Sequence, residues 1–275
     1  MKKVTKAAAL VLAMAMLMSV LAACGSDAAT TSDTSNTTNN EATDAGASQD
    51  GTLTFGTNAE FPPFEFVTSN GVIDQYDGID MAIAKQIAEE NGMTAAIENM
   101  EFDSLLIALS NGQLDAVIAG MTITEERLEA VDFSTPYYTA TQVMIVKEDS
   151  DIASAADMAD KKICVIQGYT GETCVQEMGY SYEAFKKGTE AILELMNGKC
   201  DVVVIDSATA QKYVGDNEGL KIVEDPSAFE SEEYAIAVKK GNTELLDMIN
   251  KAIEAKLANG TISELSAKYI DESGE

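Results

Sequence analysis

Histidine is absent from all 275 residues, which removes the commonest metal ligand and the usual catalytic base, and rules out a serine, histidine, aspartate triad. Basic residues are scarce. The 18 Lys and Arg against 46 Asp and Glu leave a net charge of −28, the wrong sign for holding nucleic acid or anionic lipid head groups through a basic surface. The acidic excess names no ligand by itself and suits the solubility of an exported protein. No Cys-x-x-Cys pair occurs, and beyond the N-terminal region only Cys164, Cys174 and Cys200 remain, so neither a zinc site nor a complete disulfide framework is indicated. Cysteine in such apolar surroundings serves as a small buried side chain. No cofactor, metal or catalytic residue is expected.

Long hydrophobic runs are also missing, apart from one. Ala7 to Ala23 is apolar, follows Lys2, Lys3 and Lys6, and is short for a membrane span of about 20 residues. It closes in Leu21-Ala-Ala-Cys24, which resembles a bacterial lipobox. Residues 1–23 therefore read as a lipoprotein signal peptide, with Cys24 as the lipidated first residue of the mature chain. Residues 24–50 carry Ser, Thr, Asn, Asp, Gly and Ala with no aromatic or large aliphatic side chain after Cys24, and such a segment cannot bury enough surface to offset its ordering entropy. It reads as a flexible tether that holds the folded part off the membrane.

The remaining chain alternates between strand and helix periods, as α/β proteins do. Leu53 to Gly56, Thr94 to Ile97 and Leu114 to Ala119 read as strands, with helices over Ile79 to Glu90 and Phe102 to Ser110 between them. After an extended Tyr137 to Val146 the order recurs: strands over Lys162 to Ile166, Tyr182 to Ala184 and Cys200 to Ile205, and helices over Thr170 to Met178 and Thr189 to Met196. Two connections also share their spacing. Asn111-Gly-Gln-Leu-Asp115 and Asn197-Gly-Lys-Cys-Asp201 each set a helix-stopping glycine before an aspartate and an aliphatic run. The tail, with a strand over Tyr234 to Val238 and helices over Glu244 to Leu257 and Ile262 to Tyr269, is too small to fold alone and is expected to return to the first unit. That return makes two crossings, near Tyr138 to Thr141 and Glu230 to Tyr234. The expectation is two lobes, residues 51–140 plus 232–275 and residues 141–231, each a mainly parallel sheet flanked by helices, hinged about a cleft.

Residues just past the strand ends should line that cleft. Ala119-Gly-Met-Thr-Ile-Thr-Glu-Glu-Arg127 ends a strand in small residues before a helix that Thr124 can cap, and it brings Arg127 to the crevice. A guanidinium offers a planar fork that suits a carboxylate, although on this segment alone Arg127 could equally be a surface arginine. The helix start at Thr170 is a second anion site and Asp206 suits a cation. Phe61 and Phe102 offer flat apolar surfaces between them. The ligand implied is a zwitterion with a side chain, and a free α-amino acid fits.

Together with Gly56-Thr-Asn-Ala-Glu-Phe-Pro-Pro-Phe-Glu65, Gly78-Ile-Asp80, Phe102-Asp-Ser-Leu-Leu106, Val131-Asp-Phe-Ser-Thr-Pro-Tyr-Tyr138 and Gln167-Gly-Tyr-Thr-Gly-Glu172, these residues resemble the polar amino-acid substrate-binding proteins of ABC importers, solute-binding protein family 3, from about Leu53 to Tyr269. The resemblance implies a periplasmic-binding-protein-like (type II) fold. It implies that Arg127, Thr122 and Thr170 hold the ligand carboxylate, Asp206 and the Gly120 carbonyl the ammonium, and Phe61 and Phe102 the side chain. Asn58 stands where several relatives have Asp, so Glu60 or Glu65 could replace that acid. Each of the two is more often a solvated loop acid or a structural hydrogen bonder. Asp80 and Asp103 read as braces for helices and loops, and Tyr169 stands where the family usually has a small residue, either narrowing the cleft or lying exposed. The expected ligand is arginine, lysine or glutamine ahead of acidic amino acids. The expected protein is a monomer, anchored by lipid alone on the extracytoplasmic face of a bacterial membrane, whose partner is an importer permease. A prephenate or arogenate dehydratase using Glu60 or Glu172, and an importer-independent sensor, are the competing readings.

Overall fold

The computed structural model describes residues 51–271, and the expected signal peptide, Cys24 and the expected tether lie outside the described residues. Aliphatic runs too short for helices alternate with amphipathic segments long enough for them. In chain order this produces β1 (Thr52–Thr57), β2 (Glu60–Phe61), β3 (Glu65–Val67), β4 (Tyr76–Asp77), α1 (Ile79–Glu90), β5 (Thr94–Asn99), α2 (Phe102–Ser110), β6 (Ala116–Val117), α3 (Glu125–Ala130) and β7 (Val131–Phe133). The long β8 (Tyr138–Lys147) leads into β9 (Ile163–Ile166), α4 (Thr170–Glu177), β10 (Tyr182–Phe185), α5 (Gly188–Met196), β11 (Val202–Asp206), α6 (Ser207–Asp216) and β12 (Leu220–Val223). The chain returns through β13 (Ser231–Tyr234) and β14 (Ala237–Lys239) to α7 (Thr243–Ala258) and α8 (Thr261–Asp271).

Two mixed sheets result, one in each lobe. The first has the order β5-β1-β6-β14-β7, with β5, β1 and β6 parallel and β14 antiparallel to both its neighbours. The second has the order β10-β9-β11-β8-β12, again with three parallel strands and then two antiparallel pairings. A small sheet of β2, β3 and β4 adjoins the first. Burial follows the strand positions: every residue of β9 and β11 is buried, as in strands covered on both faces, while β5 at an edge has none fully buried. On α1, Ile79, Ile83 and Ile87 recur at helical spacing and are fully buried in the core, each worth about 1.5–3 kcal/mol of burial.

The shared Asn-Gly-x-x-Asp spacing has a structural cause. Gly112 and Gly198 take left-handed φ values of 72° and 68° after α2 and α5, which glycine adopts at little steric cost. Asp115 Oδ2 then accepts from Thr54 N, and Asp201 Oδ2 from Lys162 N, both at 2.8 Å, so each aspartate ties its own strand to the start of a neighbouring one.

Two expected strands are altered. Leu114 to Ala119 narrows to β6, because only Ala116 and Val117 pair with both β1 and β14. Tyr234 to Val238 divides because its two ends take different partners. Tyr234 pairs with Tyr138, whereas Ala237 pairs with Val117 and Phe133. The intervening Ala235 donates to Met121 O at 3.0 Å. The crossing strands lie side by side, with Ser231 opposite Thr141 and Tyr234 opposite Tyr138. Among the described residues no helix is long and apolar enough to cross a membrane.

Candidate functional site

The first wall is built on the turn after β6. Gly120 has φ 53°, and a Cβ there would lie 2.5 Å from Phe61 Cε1, so the backbone passes under that ring as only glycine allows. Asp80, at the start of α1, fixes the turn by accepting from Gly120 N at 2.8 Å and from the Tyr137 hydroxyl at 2.8 Å. Burial pushes the Asp80 carboxyl up to about 7, against the opposing pull of those donors. Glu65 is buried beside it, and burial together with the Asp80 charge raises its carboxyl well above the usual carboxylate range. Thr124 Oγ1 accepts from Arg127 N at 3.1 Å and caps α3. Arg127 is thereby aimed inward. Its Nη1 donates to Thr122 O at 2.8 Å and its Nη2 to Gly168 O at 2.9 Å, and its Cζ stands 5.2 Å from the Phe102 ring centroid. Burial lowers its pKa while Glu232 and Asp206 oppose that shift, and the group remains cationic.

The second wall begins where β9 and β11 end. Thr170 opens α4, and its hydroxyl lies 3.1 Å from Gln142 Nε2 on β8. Asp206 closes β11 and is buried, with its carboxylate accepting a very short hydrogen bond from the Tyr234 hydroxyl. Burial and then the negative Glu232 push Asp206 up to about 7, while Tyr234 and Gln142 pull it down. Glu232 enters from β13. Its Oε2 accepts from both Thr122 Oγ1 and Thr170 Oγ1 at 2.7 Å, one hydroxyl from each wall. Tyr169 is buried, edge-on to Phe61 (centroids 5.3 Å apart) and to Phe102 (4.7 Å), and its hydroxyl donates to Asn58 Oδ1 at 3.0 Å.

Phe61, Phe102, Ala119, Gly120, Thr122, Arg127, Tyr169, Thr170 and Asp206 surround one cavity of about 10 Å³, room for about one water. Seven of the nine ligand-site residues named from sequence thus converge. The other two stand apart. Asn58 is engaged by Tyr169 and by Met100 O at 2.8 Å. Glu60 turns outward to Lys187 Nζ at 2.7 Å across the cleft. Glu65 lies under the wall and does not line the cavity. Tyr169 is buried in the cleft, which decides between the two positions open to it. Sequence reasoning missed Gln142, Glu232 and Tyr234, all of which arrive on the crossing strands; alternation along those strands was the only available signal. Cys164, Cys174 and Cys200 are unpaired, and no metal-binding cluster occurs among the described residues.

Residues 53–272 match the model of the bacterial extracellular solute-binding proteins, family 3. A probable histidine-binding protein of Neisseria gonorrhoeae is 35% identical over 224 residues, covering 79% of this chain and 82% of its own. The arginine-binding extracellular protein ArtP of Bacillus subtilis (strain 168) is 33% identical over 224 residues, covering 79% and 86%. Among solved structures, an ancestral arginine-binding protein bound to glutamine is 43% identical, with a TM-score of 0.74 over 82% of this chain and 99% of that one.

Proposed function

The chain belongs to the bacterial extracellular solute-binding proteins, family 3, and on that premise we propose that it binds a free polar L-amino acid in the cleft and delivers it to an ABC importer. One observation carries the reading: a hydroxyl from each wall, Thr122 and Thr170, converges on a carboxylate, and both threonines line one cavity with the Arg127 guanidinium and the Asp206 carboxylate. A free amino acid presents the two complementary charges. Its carboxylate would be held by Arg127, Thr122 and Thr170, and its ammonium by Asp206 and the Gly120 carbonyl. Phe61 and Phe102 would flank its side chain, with Asn58 behind Tyr169 and Glu60 at the rim.

The lobes, residues 51–140 plus 232–275 and residues 141–231, would part about the paired crossing strands, because a cavity of about 10 Å³ admits no amino acid. The receptor would act as a monomer, tethered through Cys24 outside the membrane. Receptor function is favoured over the dehydratase reading by the family and by the acids that reading needs. Glu60 is paired with Lys187, and Glu172 Oε2 accepts from Gly168 N at 2.7 Å, so neither lines the central cavity.

The mouth of the cleft is acidic, with Asp103, Glu125, Glu126, Glu172 and Glu177 on one side and Glu230 and Glu233 on the other. That charge, together with relatives named for histidine and arginine, supports arginine, lysine or glutamine ahead of acidic ligands. A thermal-shift screen of the twenty amino acids tests the proposal. Stabilisation by one or more of the favoured three is expected, selective stabilisation by glutamate or aspartate would reverse the ordering, and no response to any amino acid would sink the receptor reading.

A further inference from the structure

We propose that the closed cleft is filled by its own side chains, with the Glu232 carboxylate seated as a surrogate for a ligand carboxylate and the Tyr169 ring as a surrogate for a ligand side chain. The inference rests on the receptor reading and adds to it one residue that sets affinity, Glu232, and one that sets specificity, Tyr169. Glu232 takes a hydroxyl hydrogen bond from each wall, Thr122 and Thr170, at 2.7 Å, which are charge-assisted contacts of the kind an α-carboxylate would make. Tyr169 lies edge-on between Phe61 and Phe102, the two rings that would flank a ligand side chain, and is anchored at its far end by Asn58. The free space left beside the Tyr169 ring, between Thr122 and Thr170, is about 10 Å³, and Glu232 meets those two threonines from the side of the open groove.

Binding is therefore an exchange. The ligand must expel a carboxylate tethered to β13 and displace a ring tethered to the loop before α4. The two surrogates act differently. Every α-amino acid has the same carboxylate, so competition by Glu232 lowers all affinities by a common factor, as a self-occupied fraction does. The Tyr169 ring competes only for the side-chain space, so its cost grows with the length of the ligand side chain. The negative charge of Glu232, left in place, would also repel the incoming carboxylate.

Calorimetry with L-arginine, L-glutamine and L-alanine on wild type, Glu232→Ala and Tyr169→Thr separates these effects. Glu232→Ala should tighten binding of every ligand that binds by about tenfold, while lowering the melting temperature of the protein alone. Glu232→Gln, which keeps an acceptor and loses the charge, should fall between. Tyr169→Thr should favour arginine and glutamine over alanine by about tenfold relative to wild type. A purely structural role for Glu232 would lower melting temperature and affinity together, and unchanged or weaker binding by Glu232→Ala would overturn its surrogate role. An unaltered ranking in Tyr169→Thr would overturn the role of the ring. If neither wild type nor variants bind any amino acid, the receptor reading itself fails.

Discussion

In the lobe around β1, Asp115 accepts from Thr54 N; in the lobe around β9, Asp201 accepts from Lys162 N at the same 2.8 Å, after the same Asn-Gly turn. The strands so aligned end very differently. After β6 the chain makes a left-handed turn at Gly120 and delivers its charge seven residues later, as Arg127 on a capped helix. After β11 no turn intervenes, because Asp206 is both the last strand residue and the residue preceding α6. Their supports differ in the same way. Arg127 rests on backbone carbonyls of Thr122 and Gly168, whereas Asp206 is held by Tyr234, a side chain from the second crossing. A common frame thus aligns the strands, and the residues at or just past the strand ends decide which charge each lobe presents.

The comparison is tested most strongly at the two charges. Arg127→Ala and Asp206→Asn should each weaken amino-acid binding by about 2–5 kcal/mol, roughly 30-fold or more by calorimetry, and unchanged affinity in both would refute the clamp. The lobes should differ in pH response. Asp206 is raised to about 7, and a ligand ammonium favours its ionised form, so affinity should fall as pH drops below 7 and binding near pH 7 should release protons. Asp206→Asn removes that proton release.

Stability carries the same signature with a definite sign. Asp80 and Asp206 both have pKa values raised from 3.8 to about 7 in the fold, so their contribution is full below about 4 and is lost as pH rises through 7. Melting temperature of the protein alone should therefore decline from pH 5 to pH 8 through these groups, and Asp80→Asn should flatten part of that decline. A steeper decline in the variant would contradict the assignment.

Gly120→Ala should come next in effect. Positive φ and the close approach to Phe61 cost about 1–3 kcal/mol in denaturant unfolding, with binding weakened because the Gly120 carbonyl shifts. At the shared frame, Asp115→Ala should cost about 1 kcal/mol and Asp201→Ala less, since Asp201 is exposed, and neither should alter ligand affinity. Equal loss of affinity in those two would mean that frame and site are not separable. The smallest effect belongs to Lys187→Ala. Its exposed ion pair with Glu60 spans the cleft and should contribute under about 1 kcal/mol to closure, vanishing at high salt.

Helices α1 and α2 were legible to the residue, because apolar spacing and a glycine just beyond α2 agree over nine residues or more. Short elements were not. β2, β4 and β6 have two residues each and exist through their partners, and the edge strand β12 and helix α6 were not singled out in the sequence. Among the candidate site residues, Gly120, Arg127, Thr170 and Asp206 were legible because each ends or follows a strand that the hydrophobic pattern reveals. Glu232 was hidden in Ser231-Glu-Glu-Tyr234, where nothing local distinguishes it from Glu233; one is held in the cleft by Thr122 and Thr170, and the other is exposed. Tyr169 was ambiguous for the same reason, since its partners Asn58 and Phe61 lie more than a hundred residues away.

The sequence by itself determined the α/β alternation, the two similar units, the family resemblance and the opposite charges that follow β6 and close β11. These depend on local period, turn residues and side-chain chemistry, which act within a few residues. Only the tertiary structure decided that the two crossings pair with each other, that Asp80 braces Gly120, and that Glu232 and Tyr169 fill the space between the walls. Those contacts join segments 40 to 111 residues apart. Their formation depends on how two sheets and their crossings pack, a property that no single segment carries.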